Sequence, residues 1–186
     1  GVQGEHPGGL AGTSEYGTVA VSASGRYVAF ETRLALDTTT DTDTQRDIYR
    51  FDRVTNTVRQ VNLLTTGGQI PLMDYPTLVD MTADGSGVLF SSYAPNLVPD
   101  KTDDFSALYL RSMDTGALEL VSRTDGGAPA NGNVDEQADM TSDGRFVVFF
   151  SGAANLGSDQ LYVRDRLIGR TRSVSSGLGG APPNGA

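Results

Sequence analysis

Met140-Thr-Ser-Asp-Gly-Arg-Phe-Val-Val-Phe149 reads as the end of one strand, a tight turn and an apolar second strand. The same reading applies at Val21-Ser-Ala-Ser-Gly-Arg-Tyr-Val-Ala-Phe30 and at Met81-Thr-Ala-Asp-Gly-Ser-Gly-Val-Leu-Phe90. The turn glycines fall at 25, 85 and 144, spacings of 60 and 59. Two further anchors keep that register. Ile48-Tyr49, Leu108-Tyr109 and Leu161-Tyr162 recur at 60 and 53, as do Val61, Val121 and Val174, so the third unit is about six residues shorter in one loop. A period of this length marks stacked supersecondary units, none of which buries its apolar faces alone.

Each unit reads as four short strands. In the first they are 18–22, 27–32, 47–53 and 57–62; in the second 78–82, 88–92, 107–113 and 118–123; in the third 138–142, 146–151, 160–166 and 171–175. Ser-Gly or Asp-Gly joins the first two strands of every unit, because these residues accept the positive φ of a tight hairpin. No helical period persists beyond a turn, and Gly or Pro interrupts the chain about every ten residues. Four-stranded meanders in tandem predict an all-β β-propeller of three four-stranded antiparallel blades. The expected organisation is a connector at 1–16, blade one at 17–62, a connector at 63–76 and blade two at 77–123. A connector at 124–135, blade three at 136–176 and a connector at 177–186 complete it. Gly179–Ala186 repeats Gly126–Asn133 at six of eight positions, so the chain is expected to start and finish within connectors. Propellers close with ~4–8 blades. The expectation is therefore a partial ring, completed by self-association or by further sequence.

The units resemble the TolB-type, WD-repeat-like propeller repeats of exported bacterial proteins. The likeness is carried by Ser142-Asp-Gly-Arg-Phe-Val-Val-Phe149, Asn96-Leu-Val-Pro99, Tyr162-Val-Arg-Asp165, Thr115-Gly116, Val121-Ser122 and Val174-Ser175, and it covers residues 17–176. Ser24 replaces the Asp of that pattern, the loop after Asn155-Leu156 is shortened, and Arg111-Ser112 lacks the Arg-Asp pair. The resemblance implies a secreted, cell-surface or periplasmic protein and leaves the ligand open.

Composition removes several function classes. Fourteen basic residues stand against 23 acidic ones, a net charge of −9 that opposes the phosphate backbone, so no nucleic-acid partner is expected. There is no Cys, which excludes disulfides, thiolate metal sites and cysteine nucleophiles. No run of ~18 apolar residues offers a membrane span, and Gly1–Leu10 has no charged-then-apolar signal pattern.

The richest polar stretch is Asp37-Thr-Thr-Thr-Asp41-Thr-Asp43-Thr-Gln-Arg-Asp47, between the second and third strands of blade one. Asp37, Asp41, Asp43 and Asp47 can converge oxygens on a hard cation such as Ca²⁺. The stretch is not an EF-hand, because Arg46 stands where the loop glycine would be. A solvated loop of Asx turns is the alternative. Blade two offers Asp100, Asp103 and Asp104 as a weaker set, with Lys101 among them, and blade three keeps Asp159. No cofactor other than Ca²⁺ is expected.

Catalysis finds little support. His6 is the sole imidazole and lies outside the repeats. Ser22, Thr82 and Thr141 recur in every unit, as structural residues do. Asp135-Glu136 and Asp103-Asp104 are carboxylate pairs of the kind that hydrolyse glycosides, although adjacent acids in a loop are ordinarily just solvated. Phe30, Phe90 and Phe149, with Tyr49, Tyr109 and Tyr162, are expected as core between blades. The arginines and aspartates of Arg50-Phe-Asp-Arg53 and Arg164-Asp165-Arg166 are expected to pair across neighbouring strands. The reading is a non-enzymatic binding or scaffold module whose rim loops contact protein or glycan. A non-catalytic propeller segment of a larger hydrolase and a structural subunit of a surface assembly are the alternatives.

Overall fold

The computed structural model describes residues 17–70, 74–157 and 160–175; the predicted end connectors, His6 and Asp159 lie outside them. Twelve strands fall into three antiparallel sheets, each in chain order. Blade one comprises β1 (Val19–Val21), β2 (Tyr27–Thr32), β3 (Asp47–Asp52) and β4 (Thr57–Gln60). Blade two holds β5 (Thr77–Met81), β6 (Gly87–Ser92), β7 (Ala107–Ser112) and β8 (Leu118–Leu120). Blade three holds β9 (Val134–Met140), β10 (Phe146–Ser151), β11 (Gln160–Asp165) and β12 (Arg170–Ser173). All twelve expected strands are present, most with ends shifted by a residue or two and β8 finishing three residues early at Leu120; the largest difference is in blade three. β9 starts at Val134, because Ser151 of β10 pairs with Val134 beyond a register shift that follows Phe149.

The turns carry the backbone conformation their residues were read for. Gly25, Gly85 and Gly144 have φ of 67°, 77° and 72°, and the third turn residue of each β3–β4-type hairpin, Asn56, Gly116 or Gly169, is also left-handed. The innermost hairpins are tied together in series. Ala23 N–H donates to Ala83 O at 2.7 Å, and Ala83 N–H donates to Ser142 O at 2.8 Å. These residues occupy one position of the repeat, so successive blades advance by one fixed operation about the inner edge.

The core lies between blades. Ala29, Ile48 and Val61 of blade one pack on Leu78, Val88, Phe90 and Tyr109 of blade two. Leu89, Leu108 and Leu110 on the other side of blade two meet Val147, Phe149 and Tyr162 of blade three. Among the described residues only the middle blade is covered on both faces, and its β6 is buried at all six positions, whereas β2 and β10 are buried on alternate residues at best. The end blades show the complement: Val19 and Val21 are 72% and 64% exposed, and Val148 and Val163 are half-buried. Of the repeated aromatics, Phe90 with Tyr109 and Phe149 with Tyr162 lie in this core as expected, whereas Phe30 and Tyr49 of blade one belong to neither cluster; within each blade the two rings lie side by side. The centroid distances are 6.3 Å for Phe30–Tyr49, 5.7 Å for Phe90–Tyr109 and 5.9 Å for Phe149–Tyr162.

The arginines depart from the cross-strand expectation. Asp52 and Asp165 do take guanidinium partners, Arg26 and Arg145, each at 2.7 Å. Arg50, Arg53 and Arg166 instead donate to turn carbonyls, of Gly85, Gly25 and Gly144. Arg166 also pairs with Glu119 of blade two at 2.6 Å. Buried Arg111 reaches from blade two to the carbonyls of Val61 and Leu63 at the end of blade one. Its counterpart Arg164 donates to Thr124 O, Gly169 O and Thr171 Oγ1. A guanidinium carries five donors in a rigid fork, and here the fork fastens turns and neighbouring blades. Blade two has Ser86 and Ser112 where the other blades carry the Arg–Asp pair, so both members were lost together.

Candidate functional site

All β2–β3-type loops and inter-blade connectors emerge at one edge of the sheets, opposite the Gly hairpins. Two features stand there: the acidic loop of blade one and a groove between blades two and three.

In the blade-one loop, carboxylate oxygens of Asp41, Asp43 and Asp47 lie within 4.8 Å of one another. Asp37 is not among them; its Oδ1 accepts from Thr39 N–H at 3.2 Å and Thr39 Oγ1 at 2.5 Å, closing an Asx turn. Asp37 thus makes an Asx turn, and a cluster of three carboxylates lies beyond it. Asp41 is buried, accepting from Tyr49 Oη and from Asp43 N–H at 3.3 Å. Asp43 Oδ1 accepts from Gln45 N–H at 2.6 Å. Asp47 opens β3 at 1% exposure, and its Oδ1 takes Gln60 Nε2 at 2.7 Å and Asn62 Nδ2 at 2.6 Å. Its Oδ2 is buried and has no hydrogen-bond partner. Burial pushes the Asp47 carboxyl up to about 6, against the two amide bonds and with the charges of Asp41 and Asp43 adding to the rise. Burial and the bond to Asp41 raise the Tyr49 phenol as well.

Blade two arranges the matching loop differently. Lys101 is buried, and its ammonium donates to Asp103 Oδ1, to Asp103 O at 3.2 Å and to Phe105 O at 2.8 Å. Burial tends to raise the Asp103 carboxyl, but bonds from Lys101 and Phe105 N–H outweigh it and hold the group below its ordinary range. Such a carboxyl stays ionised and is unsuited to donate a proton. Asp100 lies apart, paired with Arg123 at 2.5 Å, and Asp104 is exposed. The three acids read as a weaker set are thus not gathered on one point.

The groove, about 910 Å³, is bordered by Tyr93, Phe105 and Phe150 with Asn131, Asn133 and Gln160. Asp135 and Glu136, the carboxylate pair noted in the sequence, stand exposed at its edge. The three aromatic rings are between 39% and 47% exposed. Their counterparts in the repeat are not aromatic: Tyr93 corresponds to Arg33 and Gly152, Phe105 to Gln45, and Phe150 to Glu31 and Ser91. The walls are firmly held. Asn133 accepts Ser106 N–H on its side chain at 3.0 Å and Gly152 N–H on its carbonyl at 3.1 Å. Asn131 and Asn155 exchange side-chain-to-backbone bonds at 3.1 and 3.0 Å, and Asn155 Nδ2 donates to Pro129 O at 2.8 Å. The sequence reading missed this site because its residues come from separate loops. The signal that marks it is a large aromatic where sister repeats are polar.

No protein-family model and no curated protein matches the chain. Solved structures do. TolB from Acinetobacter baumannii superposes with a TM-score of 0.52 at 15% identity, over 85% of this chain and 32% of that one. A putative TolB from Agrobacterium tumefaciens gives 0.54 at 15% identity, over 84% of this chain and 45% of that one. The fold is that of the TolB β-propellers. The periplasmic gluconolactonase PpgL of Pseudomonas aeruginosa matches with a TM-score of 0.39 at 16% identity, over 96% of this chain and 47% of that one. This chain spans less than half the length of each of these structures. Among the described residues, no helix is long and apolar enough to cross a membrane.

Proposed function

We propose that these TolB-type blades form a non-enzymatic binding module of an exported bacterial protein, and that the groove between blades two and three receives a glycan. The groove's three exposed, unrepeated aromatics carry this reading. Sugar rings present apolar C–H faces that stack on aromatic rings, while their hydroxyls seek amides and carboxylates such as Asn131, Gln160, Asp135 and Glu136. An apolar platform with a few fixed polar groups is the general form of a small-ligand site. Rigid walls favour binding, because little side-chain entropy is lost when the ligand arrives. The exposed valines of blade one and the half-buried ones of blade three support a partial ring that further blades complete, from a longer chain or a second copy.

Immobilised glycans and immobilised peptides, probed side by side with the full chain, test the proposal. A glycan should be retained, and Tyr93→Ala or Phe105→Ala should weaken it at least about tenfold without lowering the melting temperature. Retention of peptides alone, retention indifferent to both substitutions, or cleavage of the retained glycan would overturn it.

A further inference from the structure

We propose that the blade-one loop binds one Ca²⁺ ion between Asp41, Asp43 and Asp47, in the place that the Lys101 ammonium takes in blade two. The inference is independent of the groove. It begins from the repeat: Asp41, Asp43, Gln45 and Tyr49 stand 60 residues before Lys101, Asp103, Phe105 and Tyr109. The two loops share one Asx turn, since Gln45 N–H bonds to Asp43 Oδ1 as Phe105 N–H bonds to Asp103 Oδ1. In blade two a positive charge is tethered by its own side chain and held by one carboxylate and two carbonyls. In blade one the tether is gone. Asp41 replaces the lysine and Asp47 replaces Ala107, so the same locality gains two carboxylates and loses its cation.

The residual charge needs an occupant. Among the described residues none of the three aspartates has an ion-pair partner, and Arg46 gives its guanidinium to Glu31 at 3.1 Å. Ionised carboxylates this close, two of them buried, are costly unless a cation joins them. The orphaned, fully buried Oδ2 of Asp47 is the second indication. The Asp47 carboxylate is fixed by Gln60 and Asn62 through one oxygen only, which orients the group and leaves the other without a partner. That is how outer-shell amides hold a metal-binding carboxylate. Tyr49 holds Asp41 in the same fashion, while Tyr109, whose partner position is the lysine, has a buried hydroxyl with no hydrogen bond. The donor set is all oxygen: three carboxylates, with the carbonyls of Asp43 and Gln45 as the sequence counterparts of those that receive Lys101 in blade two. Hard oxygen donors in a flexible loop suit Ca²⁺, which takes ~6–8 of them, better than Mg²⁺ with its stricter octahedron.

Titration of the metal-free full chain with CaCl₂, followed by calorimetry and by thermal unfolding, tests the site. The wild type should take up one ion per chain and melt higher with Ca²⁺ than without. Asp47→Asn should weaken binding by at least about tenfold. Asp41→Lys, which copies blade two, should abolish both the heat and the thermal shift while leaving the metal-free chain at least as heat-stable as the wild type. If Asp41→Lys does not fold, the Asp47→Asn titration decides alone. Absence of heat and shift in the wild type would overturn the proposal, as would Ca²⁺ binding of unchanged affinity in Asp47→Asn.

Discussion

Replacing Gly85 by Ala probes how closely the blades meet. The three inner hairpins share one turn, with Gly25, Gly85 and Gly144 all at positive φ. An L-residue in that conformation costs about 1–2 kcal/mol wherever it occurs. The surroundings differ. Among the described residues, the nearest neighbour of a Cβ on Gly25 would be Arg53 Nη1 at 3.6 Å. A Cβ on Gly85 would lie 2.3, 2.7 and 2.9 Å from Cδ2, Cγ and Cβ of Tyr27 in blade one. Tyr27 cannot swing aside freely, since its ring lies under the guanidinium of Arg26 at 4.8 Å and that of Arg50 at 4.2 Å. Overpacking of this kind costs a further ~1–3 kcal/mol. Gly25→Ala should therefore cost about 1–2 kcal/mol and Gly85→Ala about 2–5 kcal/mol, read from urea unfolding midpoints at constant slope. In a Tyr27→Ala background the two closest contacts disappear, and the extra cost at Gly85 should fall most of the way to the Gly25 value. Equal costs for Gly25→Ala and Gly85→Ala, or no coupling between Tyr27 and Gly85, would refute the packing described.

Two further outcomes follow from the polar fastenings. Arg111→Met keeps the apolar stem but removes the donors to Val61 O, Leu63 O and Gly116 O, so stability should fall by about 2–4 kcal/mol in urea titration, and Arg111→Lys should restore only part of it. The pH dependence has a definite sign. The bonds from Arg26 and Arg145 depress the carboxyls of Asp52 and Asp165 below their unfolded value. Their contribution is present above about pH 4 and lost as the pH falls through the depressed values. Acid titration of thermal stability should thus be steeper below pH 4 in the wild type than in Arg26→Met with Arg145→Met.

The repeat made most of the fold legible, because each strand was read three times and chance similarity cancels. β9 was placed too late, since Val134-Asp-Glu-Gln137 is polar apart from its first residue and becomes strand only by pairing beyond the shift in β10. The arginines were misjudged for a related reason. Strand alternation tells which face a side chain takes, not that a turn carbonyl of another blade waits there, as Gly85 O does for Arg50. Three of the four aspartates of the acidic loop converge, as their spacing allowed; Asp37 shows the competing tendency of Asp to cap its own turn. What made that loop interpretable was its sister. In that sister loop the Lys101 ammonium donates to the carbonyls of Asp103 and Phe105. The groove could not be read at all from linear order, since Tyr93, Phe105, Asn133 and Phe150 meet only after the blades stack.

The arc itself rests on hydrogen bonds that no single blade can make. Ala23 and Ala83 sit in hairpin turns, where isolated blades would leave their N–H groups in water and exchanging freely. Residue-resolved hydrogen exchange of the folded chain should find both amides protected to the level of the neighbouring strands, with Ala23→Pro releasing Ser22 and Gly25 but leaving Ala83 protected through Ser142. Exchange of Ala23 and Ala83 at the rate of open turns would contradict the stacked-blade arrangement.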